Sequence, residues 1–278
     1  MDHISLSPAK VNLFLKVLSR RPDGYHNIAS MVEPISLYDI IHITEDAGDR
    51  VIVEDDRGLL PQGQENTVYR AIMLVKERFK VALGVKVFIE KKIPVGAGLG
   101  GGSGNAATVM KELVRLWRLS ARLPELMEMG KEIGADVPLF LYGKPCIMRG
   151  IGDKISPCEL PLLWYLIVYP NFFLSTKEVY GRLKIVLTKG ENEGKVCAKY
   201  TTAHDVAFGL ENDLEEVAIA IHPEIRSIKE RLKQAGAIGS LMSGSGSSVF
   251  GIFADQAGAQ KGLSSVKDLG NVFIAHSI

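Results

Sequence analysis

One stretch limits this chain more than any other. Residues 94–107 read Pro-Val-Gly-Ala-Gly-Leu-Gly-Gly-Gly-Ser-Gly-Asn-Ala-Ala, and six of the nine residues from Gly96 to Gly104 are glycine. An alternating run at 85–89 precedes the loop and predicts a strand. After it, Ala106, Val109, Met110, Leu113, Leu116 and Trp117 recur at helical spacing. A glycine loop therefore feeds the N-terminus of an amphipathic helix. Backbone without side chains can wrap closely around a ligand, and the first N–H groups of a helix lack intrahelical partners. With the positive end of the helix dipole, this makes an anion site, most often for phosphate. A tight turn alone would not require six glycines. The Walker ending Gly-Lys-Ser/Thr is absent, since the loop closes Ser103-Gly104-Asn105. Gly96-x-Gly98-x-x-Gly101 matches the dinucleotide fingerprint formally, but a second helical run at 125–133 follows where that fold needs a strand.

Composition narrows the class. The 278 residues are 46% hydrophobic and 23% charged with net charge +1, a soluble globular profile with no global pull toward nucleic acid or anionic membrane. No apolar run is long enough to span a bilayer, and the start shows no signal peptide, so a cytoplasmic protein is expected. Cys146, Cys158 and Cys197 form no Cys-x-x-Cys pair and read as reduced structural cysteines. Six histidines without ligand spacing leave no metal site among the expectations.

Near the start, Val11, Leu13, Leu15 and Val17 share one face of a strand and leave Lys10, Asn12 and Phe14 on the other. By itself, that second face reads more readily as solvent-exposed than as a polar site. The Pro-Asp-Gly chemistry of residues 20–26 predicts a turn ending in Tyr25 and His26, a pair that either engages a planar ring or caps a core. Strands are expected at 35–43 and 50–54. A helix capped by Asn66 or Thr67 should bury Val68, Ala71, Ile72, Val75 and Phe79. A helix from Pro124 should stop at Gly134. Asp136 then lies in a short bend, where capping is the commoner use of an aspartate. The pattern changes at 143–160, which places a boundary between domains 1–150 and 151–278. Beyond it come a strand at 162–168, a mobile loop at 188–198, helices at 212–221 and 223–235, and strands at 237–241 and 249–253. A helix at 256–266 and a strand at 271–276 finish the chain. The loop Ser243-Gly-Ser-Gly-Ser-Ser248 reads either as a second set of backbone phosphate donors or as a flexible hairpin tip.

Three stretches in one order carry a resemblance: Ser-Pro-Ala-Lys-Val-Asn at 7–12, the glycine loop, and the Ser/Gly loop at 243–248. Together they resemble the GHMP kinase superfamily of small-molecule kinases. Pro-Ala-Lys-x-Asn-Leu, Arg-x-Asp-Gly-Tyr-His at 21–26 and Gly-Ala-Asp-Val-Pro at 134–138 are similar to one branch, whose substrate is 4-diphosphocytidyl-2-C-methyl-D-erythritol in the non-mevalonate isoprenoid route. The resemblance implies an α+β fold of two domains with the active site in the cleft between them. It also implies ATP as phosphoryl donor, with Mg²⁺ held mainly through ATP. It places the nucleotide at Pro94, Gly96, Gly98, Leu99, Gly100, Gly101, Gly102, Ser103 and Gly104, with Asn66 and Lys91 toward the adenosine. Lys10 and Asp136 become the catalytic pair. Asn12, Tyr25, His26, Thr176 and Tyr180 fall on the substrate side. Gly104 stands where many relatives carry serine, a change expected to alter one hydroxyl contact near the phosphates. Another kinase of the superfamily, of homoserine or mevalonate type, or a catalytically silent relative, would share the loop.

Overall fold

The computed structural model describes residues 3–183 and 200–278. The loop expected at 188–198, Cys197 included, lies outside them. The chain divides into two compact units, and the division is discontinuous. One comprises Met1–Ala9, Leu37–Val95 and Gly100–Gly143; the other comprises Lys10–Ser36, Gly96–Leu99 and Lys144–Ile278. A single boundary near residue 150 is the simpler expectation. Two long strands, β1 (His3–Arg20) and β2 (His26–Asp46), supply residues to both units, which is why contiguous sequence does not map onto them.

In the first unit, β3 (Val51–Asp55) runs parallel to β4 (Gly84–Glu90), and β4 pairs antiparallel with β2 from Ile40 to Asp46. Asn66 caps α1 (Thr67–Phe79), its side-chain oxygen accepting from the amides of Val68 and Tyr69. The expected stripe Val68, Ala71, Ile72 and Val75 is buried, while Phe79 at the C-terminal end is only half-buried. Helix α1 packs on α2 (Gly101–Leu116), which also contacts α4 (Val137–Tyr142), and α3 (Leu123–Ile133) packs on α4. Gly134 ends α3 in extended rather than left-handed backbone.

In the second unit, β5 (Cys146–Gly150) pairs with β2 from Ile28 to Val32, and β6 (Lys154–Pro157) pairs with β5. Both strands are short and mostly polar at their ends, so alternation alone does not announce them. A separate antiparallel sheet has the order β11 (Asn271–His276), β7 (Trp164–Tyr169), β10 (Val249–Phe253), β9 (Gly239–Met242). The other helices are α5 (Thr176–Arg182), α6 (Ala203–Phe208), α7 (Glu215–Ile221), α8 (Glu224–Gln234) and α9 (Gln256–Leu263). Between α6 and α7, β8 (Glu211–Asn212) lies parallel to β1 at Phe14 and Leu15, where a helix start is the sequence expectation. Leu166, Val168, Leu232, Met242, Val249 and Phe253 lie at the centre of this unit's core. Among the described residues, no helix is long and apolar enough to cross a membrane.

The second unit also buries a carboxyl group. Glu33 of β2 is fully buried, accepts from the Tyr165 hydroxyl, and has a second oxygen without a partner. Burial pushes its pKa from 4.5 up to about 7, only partly opposed by hydrogen bonds from Tyr165 and Ser277. An acid raised on folding stabilises the protein fully below its unfolded pKa, and that stability is lost as pH rises through the folded value. The shift corresponds to about 3 kcal/mol at full extent. Denaturant titration of wild type should therefore show stability falling between pH 5 and pH 8 by about 2–3 kcal/mol more than in Glu33→Gln. Equal pH slopes in the two proteins would contradict this account of Glu33.

Candidate functional site

In the second unit, the site begins with β1. Lys10 and Asn12 are only 5% and 6% exposed, so their strand face is not a solvated one. Alternation assumes one wet face, but this segment of β1 has the serine loop above it. Lys10 Nζ donates to Asn12 Oδ1 at 2.5 Å, Asn12 Nδ2 donates to Ser30 Oγ at 2.9 Å, and Ser30 Oγ donates to the Phe14 carbonyl at 2.7 Å. This relay fixes the asparagine amide and, through it, the lysine ammonium. The Lys10 amide donates to the Leu99 carbonyl at 3.0 Å, which ties β1 to the glycine loop. Leu99 thus contributes its backbone while its side chain is buried.

Ser243 makes the second tie. Its hydroxyl accepts from the Asn12 amide at 3.3 Å and donates to the Gly98 carbonyl at 3.0 Å. Gly98 has φ +76°, and a β-carbon there would strike the Ser243 carbonyl. Only glycine satisfies both demands. The loop at 243–248 is no flexible tip, because Ser243, Ser247 and Ser248 are fully buried. Nor are these of its amides open to a ligand: Ser243 N donates to the Ser248 carbonyl, Gly246 N to the Ser243 carbonyl, and Ser248 N to the Ala97 carbonyl. Asn212 Nδ2 donates to the carbonyls of Met242 and Gly244, which holds the loop's entry.

The same loop reaches α5. Ser245 and Thr176 share a hydroxyl contact at 2.8 Å, and Ser247 Oγ donates to the Phe172 carbonyl at 2.5 Å. The Ser175 hydroxyl caps α5 by accepting from the Glu178 amide. Four residues along that helix, Tyr180 faces His26, with ring centroids 5.1 Å apart and planes tilted by 31°. Burial, reinforced by the Arg20 charge, lowers the His26 pKa and so favours the neutral imidazole. Tyr25 is 63% exposed and caps no core. Its turn is held by Asp23, which accepts from the Tyr25 amide and pairs with Arg21. Gly96 lies against the exposed ring of Phe173, where a β-carbon would collide with it.

The first unit holds the remaining expected residues. Gly100 is the left-handed cap of α2 at φ +72°. A β-carbon on Gly101 would stand 3.0 Å from Ile93 and 3.4 Å from Lys91 Nζ. Thr67 Oγ1 donates to the Gly102 carbonyl at 3.2 Å, which brings the start of α1 to the start of α2. Asn66 is spent on structure: besides capping α1, its Nδ2 donates to the Pro61 carbonyl at 3.0 Å. Lys91 is 2% exposed and ion-paired with Asp39. Pro94, partly exposed, opens the loop. Gly104 departs from expectation. Its amide already donates to the Gly100 carbonyl, and a β-carbon would lie 2.6 Å from the Pro8 carbonyl. The missing side chain here makes room for β1 rather than removing a hydroxyl from the phosphate side.

Asp136 stands at the N-terminus of α4, yet its side chain makes no capping bond to that helix. The bend containing it lies beside the first turn of α2, with Gly134 placing a would-be β-carbon 3.8 Å from Ser103 Oγ. Sequence reasoning missed Ser30, Ser245 and Asp39 as supports. Their partners are distant in sequence, and only Asp39, an acid between apolar residues in a strand, carries a local signal.

Family models for the GHMP kinases N-terminal domain and the GHMP kinases C-terminal domain match residues 66–144 and 202–272. The chain belongs to the GHMP kinase family. A 4-diphosphocytidyl-2-C-methyl-D-erythritol kinase of Syntrophus aciditrophicus is 40% identical over 92% of this chain and 91% of its own length. The enzyme of the same name from Clostridioides difficile is 41% identical, over 93% and 90%. A crystal structure of 4-(cytidine 5'-diphospho)-2C-methyl-D-erythritol kinase superposes with a TM-score of 0.84 at 32% identity, covering 99% of this chain and 98% of that one. A homoserine kinase from Cytophaga hutchinsonii shares the fold, with a TM-score of 0.74 at 20% identity over 100% and 94% of the two chains.

GHMP kinases take ATP as phosphoryl donor. In the first unit, α2 begins at Gly101 and carries Ser103 in its first turn, where the N–H groups of a helix lack intrahelical acceptors. Gly101→Val would displace Ile93 and Lys91 and put branched carbon at the helix entry. Equilibrium titration with a non-hydrolysable ATP analogue should show at least tenfold weaker binding in a folded variant. Unchanged affinity would mean the loop is only a turn.

Proposed function

We infer that this GHMP kinase transfers the terminal phosphoryl group of ATP to the 2-hydroxyl of 4-diphosphocytidyl-2-C-methyl-D-erythritol, a step of the non-mevalonate isoprenoid route. The observation that carries the reading is identity of about 40% to kinases so named over nine-tenths of the chain. The His26–Tyr180 ring pair, with exposed Tyr25 next to His26 in the chain, supports it, because an aromatic face can stack on a flat base. Homoserine and mevalonate contain no flat base. In this reading residues 1–150 carry the nucleotide and residues 151–278 complete the enzyme, which works in the cytoplasm.

An alcohol is almost un-ionised at neutral pH, so its attack on phosphorus needs a proton acceptor within reach. Asp136 takes that proton. Lys10, held by the Asn12–Ser30 relay, keeps a positive charge where the alkoxide develops. Thr176 and Asn12 orient the substrate's diphosphate and diol, while Tyr25, His26 and Tyr180 grip the cytosine. The neutral imidazole of His26 can accept as well as donate, which suits the mixed polar edge of that base. Among the described residues, no group of three or more His, Cys, Asp or Glu side chains could hold a metal. Mg²⁺ would ride mainly on ATP oxygens, with the Ser103 hydroxyl as a protein ligand, and would neutralise phosphate charge.

Asp136→Asn should lower kcat by a factor of about 10²–10⁴ and leave ATP affinity nearly intact. Turnover within threefold of wild type would remove Asp136 as the base. Tyr25→Ala and Tyr180→Ala should each cost roughly 1–3 kcal/mol of stacking, by analogy with bases on aromatic platforms. Steady-state kinetics should then show KM for the cytidyl substrate rising about tenfold to a hundredfold and KM for ATP changing little. Tyr25→Phe should be mild, and equal KM changes for both substrates would contradict a base clamp.

A further inference from the structure

Strand β4 ends at Glu90, and the amides that follow have left the sheet ladder, where buried donors need new acceptors. Two aspartates supply them. Asp56 Oδ1 accepts from Lys91 N at 2.8 Å. Asp39, fully buried in β2, divides its carboxylate. Oδ1 accepts from the amides of Lys92 and Ile93, both at 2.8 Å, while Oδ2 takes the Lys91 ammonium. One carboxylate thus fixes both the backbone that enters the glycine loop and the lysine beneath the loop's exit. Lys91 Nζ is 3.4 Å from the β-carbon position of Gly101, the first residue of α2, and Ile93 packs at 3.0 Å against the same position.

We propose that Asp39 is a positioning residue for nucleotide binding, setting the start of α2 through Lys91 and the 91–93 backbone without touching ATP. A cation at a helix N-terminus opposes the dipole there, and a buried, unpaired ammonium is costly. Asp39 removes both penalties and makes this the stable place for Lys91. The glycines that receive the phosphates are flexible by nature, so their geometry depends on such fixed neighbours. The proposal rests on the reading that the loop and Lys91 belong to the ATP site.

Asp39→Asn separates the two functions of the carboxylate. An asparagine oxygen can still accept from Lys92 and Ile93, but its amide presents donors to the ammonium and releases the lysine. Steady-state kinetics of the full-length enzyme, thermal melts and titration with a fluorescent ATP analogue should be compared for wild type, Asp39→Asn, Lys91→Met and the double variant. KM for ATP and the analogue's Kd should rise about tenfold in Asp39→Asn, with kcat and the alcohol KM within threefold. Lys91→Met should give the same selective loss, and the double variant should be no worse than Lys91→Met alone, because coupled residues are not additive. A lowered Tm with unchanged ATP binding in Asp39→Asn would overturn the proposal, as would equal losses for both substrates. Should Asp39→Asn not fold, Lys91→Met decides by the same criterion. If Lys91→Met leaves ATP binding intact while Gly101→Val abolishes it, the loop is the nucleotide site and the Asp39 proposal alone fails. If neither variant affects ATP binding, the underlying reading of the site fails.

Discussion

Much of the second unit depends on the close approach of two backbones at Gly98. No other residue type fits against the Ser243 carbonyl at that φ, and the Ser243 hydroxyl completes the contact by bridging the Asn12 amide to the Gly98 carbonyl. From this point the serine loop reaches outward to three segments. It holds β1 with Lys10 and Asn12, it holds residues 96–99 of the glycine loop, and through Ser245 it holds the start of α5. A buried hydrogen-bonded junction of this kind is costly to break, since each released group would be left without a partner. Segments far apart in sequence therefore keep fixed relative positions before any ligand arrives, and preorganised dipoles need no rearrangement during reaction.

The first unit solves a related problem by different means. Its half of the glycine stretch starts a helix, and the helix start is fixed by what packs beneath it. Ile93 and Lys91 lie under Gly101, Thr67 reaches Gly102, and the Pro8 carbonyl occupies the space beside Gly104. Asn66 and Lys91 are both engaged within the protein, one as a cap and the other as an ion-pair partner. The glycines in this stretch thus have distinct purposes: Gly101 lets Ile93 and Lys91 pack against the helix entry, whereas Gly104 lets a helix and a strand approach.

Local pattern made much of this fold legible, and its failures have physical causes. The stripe of α1, the strand before the glycine loop and the helix after it follow from periodicity, because each presents one face to the core. Lys10 and Asn12 were not legible as buried, since alternation cannot tell a solvated strand face from one covered by a distant loop. Family motifs marked them where periodicity did not. Helix α5, with Val179 as its buried apolar residue, has little periodic signal, although Ser175 with Glu178 three residues later is a helix-start pattern. Strands β5 and β6 are short, and β8 has only two residues, so propensity had little to act on. Gly104 looked like a lost phosphate contact from the motif alone, and only the position of Pro8 shows why glycine is required. Asp39 and Ser243 act across long sequence separations, which no single-chain pattern reveals.

The central claim is that a cytidyl-bearing alcohol is the acceptor. It is tested most directly by incubating the protein with ATP, Mg²⁺ and a panel of alcohols, followed by phosphorus NMR of the products. The panel holds 4-diphosphocytidyl-2-C-methyl-D-erythritol, methylerythritol phosphate without the cytidyl group, homoserine and mevalonate. The account predicts a new phosphomonoester on the cytidyl compound, formed far faster than on the truncated alcohol, with homoserine and mevalonate unreacted. Equal phosphorylation of the truncated alcohol, or preferential phosphorylation of homoserine or mevalonate, would contradict it.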